Sequence, residues 1–361
     1  MQPVEVQKKI EPFIVFFVIA SVQIGVGMLG FQRLVAESAG YDGWISVIIA
    51  GVATHIVMFL IYRMLKKEEE GLASIHKQVF GKRIGGLFNL IFVGYFCISL
   101  LTVTRSYIEL VQVWMFPDLS TFLFALFFFI LAFYIVNSGF RVIAGVSFFS
   151  LVFPSYLILV FLFVIPYSDF YNFFPIYDHS TWEIAEAAKD LTLSMLGYEV
   201  LLVFYPFIQK GQQSQKWAHL ALFSTTLTYL YITILSFAHF SEAQLKDTIW
   251  PTLSMLKVVE FPFVERLEYI GIFNWHIIIM PNVCILLWCA SRLIKQTVNI
   301  QQRKSALGLL LLLLLIIPQL ETRGQIEALN DYISKIGLVI NYLYIPLLFV
   351  VLLIVKKVKK R

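Results

Sequence analysis

Residues 21–30 read SVQIGVGMLG, with Gly25, Gly27 and Gly30 in the spacing G-x-G-x-x-G. That spacing marks a dinucleotide-binding turn only where a strand precedes it, a helix follows it and an acidic residue stands about 20 positions on. Here the preceding run is FIVFFVIASVQ, which belongs to an apolar span, and position 50 is Ala50. The dinucleotide reading fails on context. Small residues also let membrane helices approach one another. Each of these glycines, however, weakens a helix by about 1 kcal/mol relative to alanine, and close packing seldom needs three so near together. The remaining reading is a deliberate break. Unwound backbone in a bilayer is tolerated where it lines a cavity, and transporters use such breaks to aim helix ends at a substrate. A second break is then expected in the corresponding span of an inverted repeat. Residues 191–207, LTLSMLGYEVLLVFYPF, supply it, with Gly197 and the ionisable Glu199 in mid-span and Pro206 near the end.

Composition gives the setting for these breaks. The chain has 361 residues, 59% hydrophobic, 16% aromatic and 14% charged, with a mean hydropathy of +0.80. Soluble domains carry about 25% charged residues, so the solvent of this surface is largely lipid. Ten spans are expected, at about 12–34, 43–65, 84–115, 121–137, 142–166, 182–207, 217–240, 265–292, 305–320 and 335–355. The run before the breaks follows Lys8 and Lys9 as a signal peptide would, but no small-x-small cleavage site follows, so it is expected to stay as the first span. The ninth, ALGLLLLLLLIIPQL, is short for a bilayer, yet charge retains it. With ten spans and a cytoplasmic N-terminus, 20 of the 28 basic residues face inward, including the tail KKVKKR, as the positive-inside rule requires. The net charge of +5 is therefore a topology signature and gives no reason to expect a nucleic-acid partner. The expectation is one all-α integral membrane domain over residues 1–361: a five-helix repeat over 1–166, then a second over 167–361 with the basic tail.

Cys97, Cys284 and Cys289 lie in apolar stretches without a C-x-x-C pair, and the six histidines show no metal-ligand spacing, so neither a metal nor a cofactor is expected. His55 and His276 are expected to hydrogen-bond within the bundle. Enzyme readings find no G-x-S-x-G, no H-E-x-x-H and no phosphate loop with a lysine. Arg105 and Glu109, four residues apart, are expected to pair with each other. Glu265, Arg266 and Glu268 are read as an interfacial anchor or a contact for a partner, and ASIHKQVFGKRIGG as an interfacial helix or a solvated loop.

The breaks and several short motifs carry a resemblance. GVGML, DGW at 42–44, GYF at 94–96, LGYEV at 196–200, IWPTLSM at 249–255 and VERLE at 264–268 resemble the B-subunit family of bacterial spore germinant receptors, over essentially the whole chain. The WPT segment followed by ERLE is its most specific part. The resemblance implies the five-plus-five inverted-repeat (LeuT-like) fold of the amino acid, polyamine and organocation transporters, with helices 1 and 6 broken. It also implies a ligand-sensing subunit in the inner membrane of a spore, working with a larger A subunit and a C-subunit lipoprotein, and triggered by small nutrients such as amino acids.

The expected ligand site lies at the midplane between the breaks. Amides freed around Gly25, Val26, Gly27 and Met28 offer donors for a carboxylate, while carbonyls near Leu196 and Gly197 accept from an ammonium group. Tyr198 would either cap the pocket or join the core. Tyr95 and Ser99, one turn apart on span three, face it from the side, and Asn282, beside Pro281 in the interior of span eight, either hydrogen-bonds between helices or contacts the ligand. Glu199 is read as capping the second half of span six. An ion-coupled amino-acid transporter on the same fold is the main alternative. Span five, however, has no lysine or other charged residue, and span eight has no adjacent Ser/Thr pair for a sodium site. A third class, a scaffold subunit that binds no ligand, predicts a sealed space filled by Met28 and Tyr198.

Overall fold

In lipid every backbone N–H and C=O must be satisfied within its own segment, which turns long apolar runs into helices. The computed structural model describes residues 4–66, 70–259 and 266–359. Among them the only β pairing is an isolated bridge between Ile10 and Ile208. Among the described residues seven helices are long and apolar enough to cross a membrane, or eight if the pair Thr181–Asp190 and Thr192–Phe207, bent by 56°, counts as one. The stretch expected as the first span is divided: the ten-residue helix Ile14–Gln23 comes first, and the helix that resumes at Phe31 runs on into the expected second span as Phe31–Leu65, while the expected fourth is the shorter apolar helix Thr121–Asn137. The expected ninth span is the 18-residue helix Gln302–Gln319. Leu72–Trp114 runs longer than the third span required, because a helix over 72–80 turns at Gly81 (φ 78°) before the spanning part begins. The interfacial-helix reading of that segment therefore has helical backbone beneath it.

Leu267–Val298 is the most buried of the long helices. It packs chiefly against Leu72–Trp114 and also touches Ile14–Gln23, Thr121–Asn137 and Phe140–Val152. Large apolar side chains cover the outward faces of the peripheral helices, among them Phe127, Tyr134, Leu159 and Leu315. The most buried helix thus stands beside the first break, and the peripheral helices present their apolar faces outward.

Two of the motifs that carry the resemblance act as braces. Asp42, in DGW, is 4% exposed and accepts from the backbone N–H groups of Tyr177, Asp178 and His179 at 2.8, 2.6 and 2.9 Å, which ties that loop to the turn before Gly43–Leu65. In IWPTLSM, Thr252 donates to the carbonyl of Met28 (2.9 Å) and accepts from Gln32 Nε2 (2.6 Å). The short helix Pro251–Leu256 is thereby fastened onto the first break.

Candidate functional site

The first break forms as the glycines predict. Helix Ile14–Gln23 stops, Gly25 is extended (φ −123°, ψ −157°), Val26–Leu29 makes a single 3-10 turn, and the chain becomes helical again at Phe31. Polar side chains from elsewhere take up the released carbonyls, as a low-dielectric interior requires. Asn282 Nδ2 donates to Ser21 (2.8 Å), the Tyr229 hydroxyl to Gln23 (3.1 Å), Trp275 Nε1 to Gly25 (3.2 Å) and Thr252 to Met28. The amides of Val26 and Gly27 meet no acceptor among the described residues. Close approach explains two of the glycines: a Cβ at Gly27 would stand 2.8 Å from Ser194 Oγ, and one at Gly30 2.5 Å from the carbonyl oxygen of Ile249.

The second break is tighter. Thr192–Met195 ends in an extended Leu196, and Gly197 takes a left-handed conformation (φ 109°) against Val22. Glu199, 1% exposed, accepts from the Gly197 N–H (2.9 Å) and from the Tyr95 hydroxyl (2.5 Å). It caps the segment that begins at Tyr198, in line with the sequence reading. No cation lies within ion-pairing distance of it among the described residues. Gln23 Nε2 donates to the carbonyl of Met195 (3.0 Å) and so staples the two breaks together. Of the carbonyls expected to receive an ammonium group, that of Gly197 accepts from Val200 (3.3 Å), while that of Leu196 has no partner among the described residues.

A cavity of about 660 Å³ joins the breaks. Gly25, Val26, Gly27, Tyr95, Ser99, Leu196, Gly197 and Asn282 line it, eight of the ten expected residues. Met28 and Tyr198 do not. They are 4% and 0% exposed and point into packed protein, so neither caps nor fills the space. Gln23, Ser194, Glu199 and Trp250 also line it. A glutamine two residues before the first glycine in an apolar run was the available signal for the first of these.

Charged groups form one end of the cavity. Arg323 bonds Glu109 at 2.8 Å and Glu327 at 3.0 Å, and Arg33 reaches Glu327 at 3.5 Å. This corrects the expected Arg105–Glu109 pair. Arg105 instead donates to the carbonyl of Leu320 (2.6 Å), just past helix Gln302–Gln319, where a cation suits the dipole, and Glu109 turns to Arg323. Arg266 bonds Glu268 (3.0 Å) and covers the Tyr269 ring, whereas Glu265 lies outside the described residues. His55 and His219 share a bond between their Nδ1 atoms (2.8 Å). His276 packs instead among the rings of Tyr107, Phe124 and Phe128. Among the described residues no group of three or more His, Cys, Asp or Glu side chains is placed to hold a metal ion, and the three cysteines are unpaired.

Comparison with known proteins places this architecture. A family model described as spore germination protein matches residues 9–326. The chain is 42% identical to spore germination protein GerQB of Bacillus cereus over 351 residues, covering 97% of this chain and 98% of that protein. It is 26% identical over 361 residues to spore germination protein A2 of Bacillus subtilis (strain 168), covering 96% of each. Spore germination protein B2 of the same organism is 27% identical over 265 residues, 71% of each chain. With a family match across most of its length and a full-length relative at this identity, the chain is a multi-pass membrane protein of the spore germination protein family.

Proposed function

We propose that this chain is the nutrient-sensing subunit of a spore germination receptor. It binds a small ligand such as an amino acid in the cavity between the two breaks and performs no chemistry on it. The observation that carries this reading is the cavity itself, which reaches both breaks and has eight expected residues on its lining. The bundle is read as ten spans in a five-plus-five inverted repeat, the first span being Ile14–Gln23 plus the helix after the break. Both termini are cytoplasmic in the spore inner membrane, which puts the Arg33–Glu327–Arg323 end outside. A carboxylate on the ligand meets the amides of Val26 and Gly27. Occupancy favours one arrangement of the broken helices, to the extent that the ligand's affinity differs between the two. A larger A subunit and a C-subunit lipoprotein read the change.

The test fills the cavity at Gly25, whose backbone angles suit any residue and whose added Cβ meets only Asn282 Oδ1 at 3.7 Å. Spores carrying Gly25→Leu, with protein level checked by immunoblot, are scored against amino acids, sugars and nucleosides. Loss or altered preference at normal abundance is expected; unchanged responses would sink the ligand site. A transporter reading draws on Glu199, a buried carboxyl group on the cavity lining able to carry a proton. Uptake by proteoliposomes that stops with Glu199→Gln would favour it.

A further inference from the structure

Buried polar atoms without a partner are rare in folded proteins, and one on a residue that lines a cavity calls for a ligand-based explanation. Several side-chain atoms in this protein are buried and lack a hydrogen-bond partner among the described residues, and Gln23 Oε1 is the one that belongs to a cavity-lining residue. Gln23 is 3% exposed. Its orientation is fixed, because the Met195 carbonyl accepts only from the NH2 group; turning the amide over would set oxygen against oxygen. Asn282 is held in the same manner. Its Nδ2 is spent on the carbonyls of Ser21 and Ile278 (2.8 and 3.1 Å), which leaves Oδ1 beside Gly25. Around the first break the side chains on the lining therefore offer acceptors, and the carboxyl group of Glu199 adds another without a cation beside it.

Resting on the ligand site proposed above, we infer that Gln23 is a specificity-determining residue whose Oε1 accepts a hydrogen bond from the ligand, so that the site selects molecules presenting an N–H or O–H donor there. The staple to Met195 supplies the orientation; Oε1 itself is covered, so the ligand's donor reaches it as the neighbouring lining side chains give way. A ligand whose donor is removed by methylation cannot make this bond.

The experiment uses spores carrying the full chain. L-alanine, L-valine, D-glucose and adenosine are the parent probes. Each is paired with an analogue lacking donors: the N,N,N-trimethyl amino acids, methylated glucose and N6,N6-dimethyladenosine. Half-response concentrations are measured for the unaltered protein, for Gln23→Met, which keeps the length and loses the oxygen, and for Gly25→Leu. The expected result is a parent compound that outperforms its methylated partner by about 10- to 100-fold in the unaltered protein, a preference that collapses in Gln23→Met. A purely structural role for the staple would weaken parent and analogue by the same factor, and that result overturns the inference. A response that survives Gly25→Leu overturns the ligand site itself. A response lost in Gly25→Leu, with no change of preference at Gln23, leaves the site standing and removes Gln23 from it. No response to any probe in the unaltered protein removes both.

Discussion

The two breaks solve one problem by opposite means. At the first, Gly25 keeps ordinary backbone angles, and side chains from distant helices occupy the loosened carbonyls. At the second, one left-handed glycine makes the turn, and the neighbouring Glu199 caps its N–H from two residues away. The first break is thus held from outside and leaves room; the second is held from within and is tightly packed. The sharpest way to break this contrast is Gly197→Ala. A Cβ there would lie 2.4 Å from Val22 Cγ1, on top of a φ of 109° that side chains rarely adopt. The left-handed conformation costs about 1–2 kcal/mol and the overpacking about 1–3 kcal/mol. The purified protein should lose several kcal/mol, read as a large fall in Tm and in membrane abundance. An unchanged Tm would mean that the second break is as loose as the first.

The internal cap gives the next largest effect. Glu199→Leu leaves the Tyr95 hydroxyl and the Gly197 N–H without an acceptor inside the bundle, at about 1–3 kcal/mol for each buried donor. Glu199→Gln should cost far less, because its oxygen still accepts from Gly197 while its NH2 donates to a Tyr95 hydroxyl turned to accept. Thermal denaturation of the two variants in the same detergent compares them directly. Equal losses would show that the negative charge of Glu199, rather than its hydrogen-bonding shape, holds the second break.

What could be read from the sequence divides along the same line. The positions of both breaks were legible, because glycines inside an apolar run contradict the helix that the run otherwise demands. Asn282 was legible as an amide in an apolar helix. The directions of side chains were not: Met28 and Tyr198 sit at the breaks but turn into packed protein, a choice made by neighbours far along the chain. Arg105 and Glu109 obey a local spacing rule, and Arg323, 214 residues away in sequence, overrides it. Span lengths failed for a related reason. Hydropathy registers how apolar a stretch is and not where its hydrogen bonds stop, so a helix of ten residues and the break that follows it read as a single span.

Two smaller effects test the first break. Thr252→Val takes the donor from the Met28 carbonyl and the acceptor from Gln32 Nε2, a loss of about 1–3 kcal/mol. Its Tm should fall less than that of Glu199→Leu, since it strands one buried donor, Gln32 Nε2, where Glu199→Leu strands two, and an under-satisfied carbonyl is better tolerated than an orphaned donor. Gly25→Ala should cost least. Its Cβ makes ordinary contact at 3.7 Å with Asn282 Oδ1, and its backbone angles need no glycine. Replacing glycine at such a position narrows the unfolded chain by about 0.4–1 kcal/mol, which favours the folded state. Tm should therefore hold or rise slightly, while the added methyl group stands in the cavity beside an oxygen proposed to face the ligand. Stability held and ligand response altered, in one variant, is the combination that an externally braced, open break predicts. A Tm loss as large as that of Gly197→Ala would instead mean that both breaks are closed packing, and the cavity between them would lose its claim to be a ligand site.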